Sequence, residues 1–222
     1  WYYFNENRFE AYSNIHINKG DSIHLYGAKL DYNGSNNKAI VRQNIVLKDK
    51  DMQLKTEELH YFLKTNIASY YSGAIITNKE NVLKSRKGDY LSSSKTIVFK
   101  SDVTLDNPEY LIECDTLHYN TESEIAYFYG PTTIKSENNF IYCEDGWYNT
   151  LTDKSKFSGN AYLYSDNQKL SGDVLFYDRK NGYGKALNNI TIKDTTNNFT
   201  MHGHKAEYFE KLDSSIISIK PL

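Results

Sequence analysis

Tyrosine recurs along this chain at a fixed interval of 29 residues, at Tyr3, Tyr32, Tyr61, Tyr90, Tyr119, Tyr148 and Tyr177. A second landmark, a pair of small or turn-forming residues, precedes an apolar segment in each interval, as at Gln43-Asn44, Ser101-Asp102 and Gly159-Asn160. Such spacing is typical of repeat proteins, in which each repeat is one unit of supersecondary structure stacked on the next. The chain is therefore predicted to be an array of near-identical units.

Between these landmarks apolar and polar residues alternate, which is typical of β-strands with one buried face. Polar turn clusters occur twice in each repeat, as at Asn33-Gly34-Ser35-Asn36 and Lys48-Asp49-Lys50-Asp51. Two turns per repeat leave two strands of roughly nine or ten residues each, and the Gly, Asn or Asp pair is expected to bend each strand near its middle. The sequence predicts an all-β fold of stacked, V-shaped antiparallel rungs, two per 29-residue repeat.

Further expectations concern the extent of the repeat array. Because Tyr3 stands at the repeating tyrosine position, the chain is predicted to begin in the middle of a repeat, with further residues preceding it in the parent protein. All repeats are expected to form one domain over residues 1–222. The last repeat has two additional residues before Tyr208, which leaves the register of its final strand open.

Apolar residues in phase with the repeat are predicted to line the inside of the V. Small residues in the same columns, such as Gly88 and Gly172, favour an interior with room, although glycine also suits a bend. The alternation fits a closed structural core equally well, and the sequence does not separate a filled interior from an open groove. The predicted lining residues are Ile45, Leu47, Leu54, Leu59, Tyr61, Ile76, Leu83, Tyr90, Phe99, Val103, Leu105, Ile112, Leu117, Tyr119, Phe128, Ile134, Ile141, Tyr148, Phe157, Leu163, Leu170, Leu175, Tyr177, Ile190 and Ile192.

Charge and motifs exclude several classes of function. The formal charge of −2 comes from 26 basic and 28 acidic residues spread along the chain, so no one-signed face is expected to bind nucleic acid. The chain lacks Gly-x-Ser-x-Gly, a phosphate-binding glycine loop, His-Glu-x-x-His and Cys-x-x-Cys. We predict a non-enzymatic protein without a cofactor.

Four acidic residues, Glu57, Asp115, Glu144 and Asp173, recur four residues before the tyrosines. Stacked carboxylates invite a glycosidase or metal-site hypothesis. The same column holds Ala28 and Arg86, however, and two rungs separate its members by roughly 9.6 Å. Exposed bend residues are the favoured interpretation.

Two other candidate sites are weak. His202 and His204 share one strand face, but a metal site needs a third ligand and none is marked nearby, so no metal site is predicted. Cys114 and Cys143 stand in one column two rungs apart, beyond the reach of a disulfide. They are predicted to be free, buried thiols.

The segments Phe157–Leu163 and Leu170–Asp178 resemble the repeat of OstA-like, LptA-type lipopolysaccharide-transport proteins, and Phe128–Ile134 and Ile141–Tyr148 are similar to its Bacteroidetes branch. The resemblance implies an open β-jellyroll, or β-taco, in the periplasm of a Gram-negative cell envelope. It also implies end-to-end stacking with like domains by edge-strand addition, including a homo-oligomer, and lipid A acyl chains held in the groove.

The function that this resemblance implies is to bind lipopolysaccharide or a related lipid and help convey it toward the outer membrane. The alternative is a structural or adhesive β-repeat protein with a closed core and no lipid cargo. A carbohydrate-active β-solenoid is the third hypothesis.

Overall fold

The computed structural model describes residues 1–19, 23–49, 51–165, 167–212 and 214–219. It divides into two compact units, Trp1–Pro108 and Glu109–Leu222. Secondary structure within the described residues consists of β-strands and two short 3-10 helices, Phe4–Glu6 and Glu210–Leu212. No helix in this part of the chain is long and apolar enough to cross a membrane. That residues 1–222 form one domain stays a prediction.

The first unit is a stack of antiparallel strands. The second half of β5 pairs with β6 and its first half with β7, so β6 and β7 together make one bent rung, as do β8 and β9. The strands are β1 (Tyr2–Tyr3), β2 (Arg8–Lys19), β3 (Ile23–Asn33), β4 (Lys38–Asp49), β5 (Met52–Phe62), β6 (Ile67–Tyr70), β7 (Ala74–Asn78), β8 (Asn81–Ser85), β9 (Lys87–Leu91) and β10 (Thr96–Asn107).

The second unit repeats this arrangement. Here β14 and β15 form one bent rung, and β16 and β17 form the next. The strands are β11 (Tyr110–Asn120), β12 (Ile125–Ser136), β13 (Asn139–Asn149), β14 (Lys154–Ser158), β15 (Tyr162–Ser165), β16 (Gln168–Ser171), β17 (Val174–Asp178), β18 (Tyr183–Asp194), β19 (Phe199–Phe209) and β20 (Ser214–Ser218).

The paired landmark residues of the sequence bend the rungs. Gln43 and Asn44 have φ angles of 68° and 53°, in the left-handed region that Asn tolerates better than most residues. The register of β4 against β5 shifts between Arg42 and Ile45, so the pair forms a bulge, which kinks a strand locally. The prediction of stacked V-shaped antiparallel rungs is confirmed, and each unit is an open β-jellyroll.

Each rung ends in a turn of a defined kind. On one side the turns have four residues, and the fourth is left-handed, which reverses the chain within a hairpin. These fourth residues are Asn7, Asn37, Asn66, Lys95, Glu124, Asp153 and Gly182. Turns on the opposite side have two residues between Asn107 and Tyr110 and four between Asp194 and Phe199.

The pairing of β1 corrects the assignment of Tyr3 to the repeating tyrosine column. Tyr2 lies opposite Phe9, which in turn lies opposite Tyr32, so Tyr2 takes the inner position. Tyr3 faces outward, where its hydroxyl donates to Glu10. Tyr3 has one residue fewer between it and the start of β2 than Tyr32 has between it and the start of β4. Because successive side chains of a strand point to opposite faces, this difference of one residue places Tyr3 on the outer face.

The register of the last repeat, which the sequence left open, is regular. Asp194 and Phe199 close a four-residue turn that absorbs the two additional residues. Tyr208 therefore lies opposite Gly184 on the inner face, in line with the earlier tyrosines.

Candidate functional site

The inside of the V forms a trough with two walls in each unit. We define the tyrosine arm as the part of each rung between the bend and the four-residue turns, and the aliphatic arm as the part between the bend and the opposite turns. Residues directly opposite each other in antiparallel strands share a face. The register therefore shows which side chains form each wall.

The aliphatic arm of the first unit carries an unbroken ladder of branched side chains. Leu47 lies opposite Leu54, Leu54 opposite Ile76, and Ile76 opposite Leu83. The whole ladder is Ile17, Leu25, Leu47, Leu54, Ile76, Leu83 and Leu105.

From β3 to β9 the tyrosine arm of the first unit alternates tyrosine and alanine, whereas Tyr2, Phe9 and Tyr32 lie on three successive rungs before it. Tyr61 lies between Ala39 and Ala68, and Tyr90 follows Ala68 on the next rung. Between Tyr32 and Tyr90 the rings thus stand on alternate rungs, with an alanine between them.

The second unit has the same two walls. Its aliphatic ladder comprises Ile112, Ile134, Ile141, Leu163, Leu170, Ile192 and Met201. Its tyrosine arm alternates Tyr119, Ala126, Tyr148, Ser155, Tyr177, Gly184 and Tyr208.

The deep part of each trough, near the bend, is a packed core. Phe128 is 1% exposed and Leu117 beside it is 2% exposed. The predicted lining residues that are buried are Ile45, Leu54, Leu59, Ile76, Leu83, Phe99, Val103, Ile112, Leu117, Phe128, Phe157, Leu175 and Ile190.

The other predicted lining residues face the same interior but are only half-buried. They are Leu47, Tyr61, Tyr90, Leu105, Tyr119, Ile134, Ile141, Tyr148, Leu163, Leu170, Tyr177 and Ile192. An inward-facing apolar row that keeps contact with water is a surface that gains free energy when a ligand covers it. Contact of these residues with a lipid stays a prediction.

Tyr70 is an inner residue that the sequence-based prediction missed. It is 3% exposed and lies opposite Gly88. Its hydroxyl forms a 2.5 Å hydrogen bond with the Ser85 hydroxyl, and burial raises its pKa to about 12. The 29-residue spacing was the available signal, because Tyr70 stands one repeat before Phe99 and two before Phe128.

Hydrogen-bonding side chains follow the edge of the tyrosine arm. The Tyr61 hydroxyl donates to Oδ1 of Asn66 at 2.9 Å, and the Tyr148 hydroxyl donates to Oδ1 of Asp153 at 2.6 Å. Burial and the bond to Asp153 both raise the pKa of Tyr148. Both acceptors are the left-handed fourth residues of their turns.

Amide side chains mark the edge of the aliphatic arm in the first unit. Nδ2 of Asn107 donates to Oδ1 of Asn81 at 2.8 Å. Among the described residues, Oδ1 of Asn78 is buried without a hydrogen-bond partner. Each trough is thus apolar along its walls, and its rim carries hydrogen-bonding groups.

The periodic acidic residues lie at the bends and are exposed, in agreement with the prediction. Glu144 accepts from Nδ2 of Asn160 at 2.9 Å, and Asp173 accepts from Nδ2 of Asn189 at 3.0 Å. These carboxylates tie the bulged residues of one rung to the next.

A cleft of about 630 Å³ lies at the bend of the first unit. Its lining includes Thr56, Glu57, Ser85, Arg86 and Asp102, and Arg86 forms a 2.5 Å ion pair with Asp102. Two further basic side chains, Lys55 and Lys84, line the cleft, so its basic residues outnumber its acidic ones by three to two.

The remaining candidate ligands are separate from the troughs. His202 and His204 are exposed, and no group of three or more His, Cys, Asp or Glu among the described residues is placed to hold a metal ion. Cys114 and Cys143 are free and buried, with Thr132 between them, as predicted. Burial raises the pKa of each thiol to about 12.

Comparison with known proteins identifies the family. No curated protein matches the sequence. Among solved structures, a similar one is LptH from Pseudomonas aeruginosa, the LptA-homologous periplasmic component of the lipopolysaccharide transport device there. The two share 12% sequence identity with a TM-score of 0.44, and the match covers 48% of this chain and 81% of LptH. The family model for OstA-like proteins matches residues 1–115, more than half of the chain. The chain belongs to the OstA-like protein family.

Proposed function

We propose that each unit binds the acyl chains of lipopolysaccharide, or of a related lipid, in its trough, and that the protein helps convey this cargo across the periplasm toward the outer membrane. The half-buried apolar rows on the inner face carry the proposal. Membership of the OstA-like family supports the choice of cargo, because the family resemblance implies lipopolysaccharide transport.

The driving force follows from apolar burial alone. Each methylene moved from water to an apolar surface contributes about 0.8 kcal/mol, so covering four methylenes contributes about 3 kcal/mol. No specific hydrogen bond is needed. Successive rungs, about 4.8 Å apart, repeat the same chemistry along each unit, which suits a cargo that has to move.

The polar rim suits an amphipathic cargo. Tyrosine hydroxyls and asparagine amides lie at the two edges of the trough, where the head group of a bound lipid leaves the apolar walls. No catalytic step is assigned to any of these groups.

The alternative, a structural or adhesive protein with a closed core, is favoured by one observation. Residues near the bend, such as Phe128 and Val103, are buried by other side chains of the protein itself. The two hypotheses differ in the role of the half-buried inner residues Leu105 and Leu163. A transport trough contacts its lipid cargo through these residues, whereas a closed core gives them no ligand.

Site-specific photo-crosslinking separates these hypotheses. A photo-crosslinker at Leu105 or Leu163 is expected to capture labelled lipopolysaccharide. The matched controls are the adjacent residues Thr104 and Tyr164, which face outward on the same strands. Equal capture at inner and outer positions, or none at all, would contradict the proposal, and sugar-dependent capture at outer positions alone would favour a carbohydrate-active protein.

We also propose that exposed strand edges couple the protein to like β-jellyroll domains, including further copies of itself, and that residues 1–222 act as one domain. Unpaired N–H and C=O groups at a sheet edge accept another strand. Sedimentation is expected to show association that increases with protein concentration. A single monomeric species at all concentrations would contradict self-coupling.

A further inference from the structure

The two arms of the trough in the second unit are bridged by an ion pair. Arg179 follows the tyrosine arm of β17, and Glu109 precedes the aliphatic arm of β11. Nη2 of Arg179 donates to Oε2 of Glu109 at 2.5 Å, although 70 residues separate the two along the chain. The pair spans the open side of the V and does not link neighbouring rungs.

Two phenols lie close to this pair, one from each arm. Tyr110 belongs to β11, and its environment includes the charges of both Arg179 and Glu109. Tyr148 ends the tyrosine arm of β13 and lies near both Tyr110 and Arg179. The ion pair therefore lies where the inner surfaces of the two arms approach each other.

The arms of the first unit approach each other at a comparable place. Tyr90 ends a tyrosine arm, and Asp49 ends an aliphatic arm. Burial is the main cause that raises the pKa of Tyr90, and the nearby Asp49 carboxylate adds to it. Lys95, in the turn after β9, acts on the Tyr90 hydroxyl in the opposite sense. In the second unit the carboxylate is paired with Arg179.

The repeat itself shows that Arg179 is not required to form its hairpin. The same turn position is uncharged in every preceding hairpin. These first residues of the four-residue turns are Phe4, Gly34, Leu63, Ser92, Thr121 and Thr150. Arg179 thus departs from the repeat at its turn position, and the Glu109 carboxylate faces it from the other arm.

We propose that Arg179 and Glu109 form an ionic latch that holds the mouth of the second trough closed and opens to let an acyl chain pass sideways between the arms. This inference rests on the proposed function, because a latch regulates access to a cargo site. Both side chains are at least half-exposed. Exposed ion pairs contribute little to stability and are screened by salt, so this one is able to open without unfolding the rungs.

The latch is tested by the rate at which a neutral apolar probe reaches the trough. The probe is N-phenyl-naphthylamine, whose fluorescence rises in apolar surroundings and which carries no charge to interact with Arg179. The variants are Arg179→Thr, which copies the preceding hairpin at Thr150, and Glu109→Asn, which copies the next short turn at Asn138. Each is expected to speed probe uptake in stopped-flow by roughly two- to fivefold, with equilibrium binding little changed.

Three further measurements distinguish a latch from a general surface effect. The double variant is expected to be no faster than either single variant, because both remove the same contact. High salt is expected to speed uptake in the wild type and not in Arg179→Thr. A reducible bis-methanethiosulfonate bridge between cysteines placed at 109 and 179 is expected to arrest uptake until the bridge is reduced.

The outcomes separate the latch from the function beneath it. Unchanged uptake in both single variants, or free uptake in the bridged protein, would overturn the latch while leaving the trough as a binding site. A wild-type protein that binds no probe would overturn the proposed function and the latch together. Single-cysteine variants treated with the same reagent are the control, and the native thiols are too buried to compete.

Discussion

One rung of the second unit provides a matched pair of leucines for testing which layer of the trough is core and which is binding surface. Leu175 in β17 is 6% exposed and lies between Phe157 and Ala186. Leu170 in β16 is half-buried and lies between Leu163 and Ile192. Each is replaced by alanine, so the chemical change is the same.

The expected magnitudes follow from burial. A leucine buried in a core costs about 2–5 kcal/mol when it is truncated to alanine, so we expect about 3 kcal/mol for Leu175→Ala. Leu170 already contacts water, so about 1.5 kcal/mol is expected for Leu170→Ala. For a chain of this size, 1 kcal/mol lowers the Tm by about 2–4 °C, which predicts losses of about 9 °C and about 4 °C.

Thermal unfolding measures the first effect and lipid binding measures the second. Leu170→Ala is expected to weaken capture of an acyl-chain probe more than Leu175→Ala does, although it destabilises the fold less. Equal losses of stability with unchanged binding in both variants would refute the two-layer reasoning and support a closed core.

Three other predictions follow from single contacts. The two buried thiols, with a pKa near 12, are expected to react with a thiol reagent at pH 8 at the rate of unfolding, and immediate labelling of the native protein would contradict their burial. Gly88→Ala is expected to lower the free energy of unfolding in urea by about 1–3 kcal/mol, because the new methyl carbon would lie 2.5 Å from the Tyr70 ring. The control Gly184→Ala, whose new methyl carbon would lie 3.5 Å from its nearest atom, is expected to lose less stability. Arg8 lowers the pKa of Asp31 in the folded protein. The Asp31 carboxylate therefore stabilises the fold above its ordinary pKa near 3.9, and this contribution is lost as the pH falls through the lower pKa of the folded state. An NMR titration in which Asp31 shows its ordinary pKa would contradict the pairing.

The bends, turns and faces of the rungs were predictable from local sequence. At Gln43 and Asn44 the left-handed backbone is one that asparagine adopts readily, and the alternation on either side specifies which residues point inward. The two free thiols followed from the same reasoning, because two rungs place Cys114 and Cys143 on either side of Thr132. These features depend on neighbours in sequence or on the repeat.

The count of 29 residues was misleading at the first hairpin. The 29-residue count assigned Tyr3 to the inner column, but the pairing of Tyr2 with Phe9 reverses it. The inner residues Phe9 and Tyr32 stand 23 residues apart, whereas Ala39 and Tyr61 stand 22 apart, and a spacing of tyrosines does not reveal this difference when two tyrosines are adjacent. Because adjacent residues of a strand point to opposite faces of the sheet, an error of one residue assigns a side chain to the wrong face.

The sequence by itself determined that this chain forms bent, stacked strands with one apolar face, since both periods, two and 29, are written in the order of residues. Only the tertiary structure decided how deep each inward residue lies: Leu175 is packed and Leu170 is half-buried, although both obey the same pattern. It also decided that Arg179 meets Glu109 across 70 residues. Both results depend on how closely the two arms converge, which is a property of the folded sheet and not of any local segment.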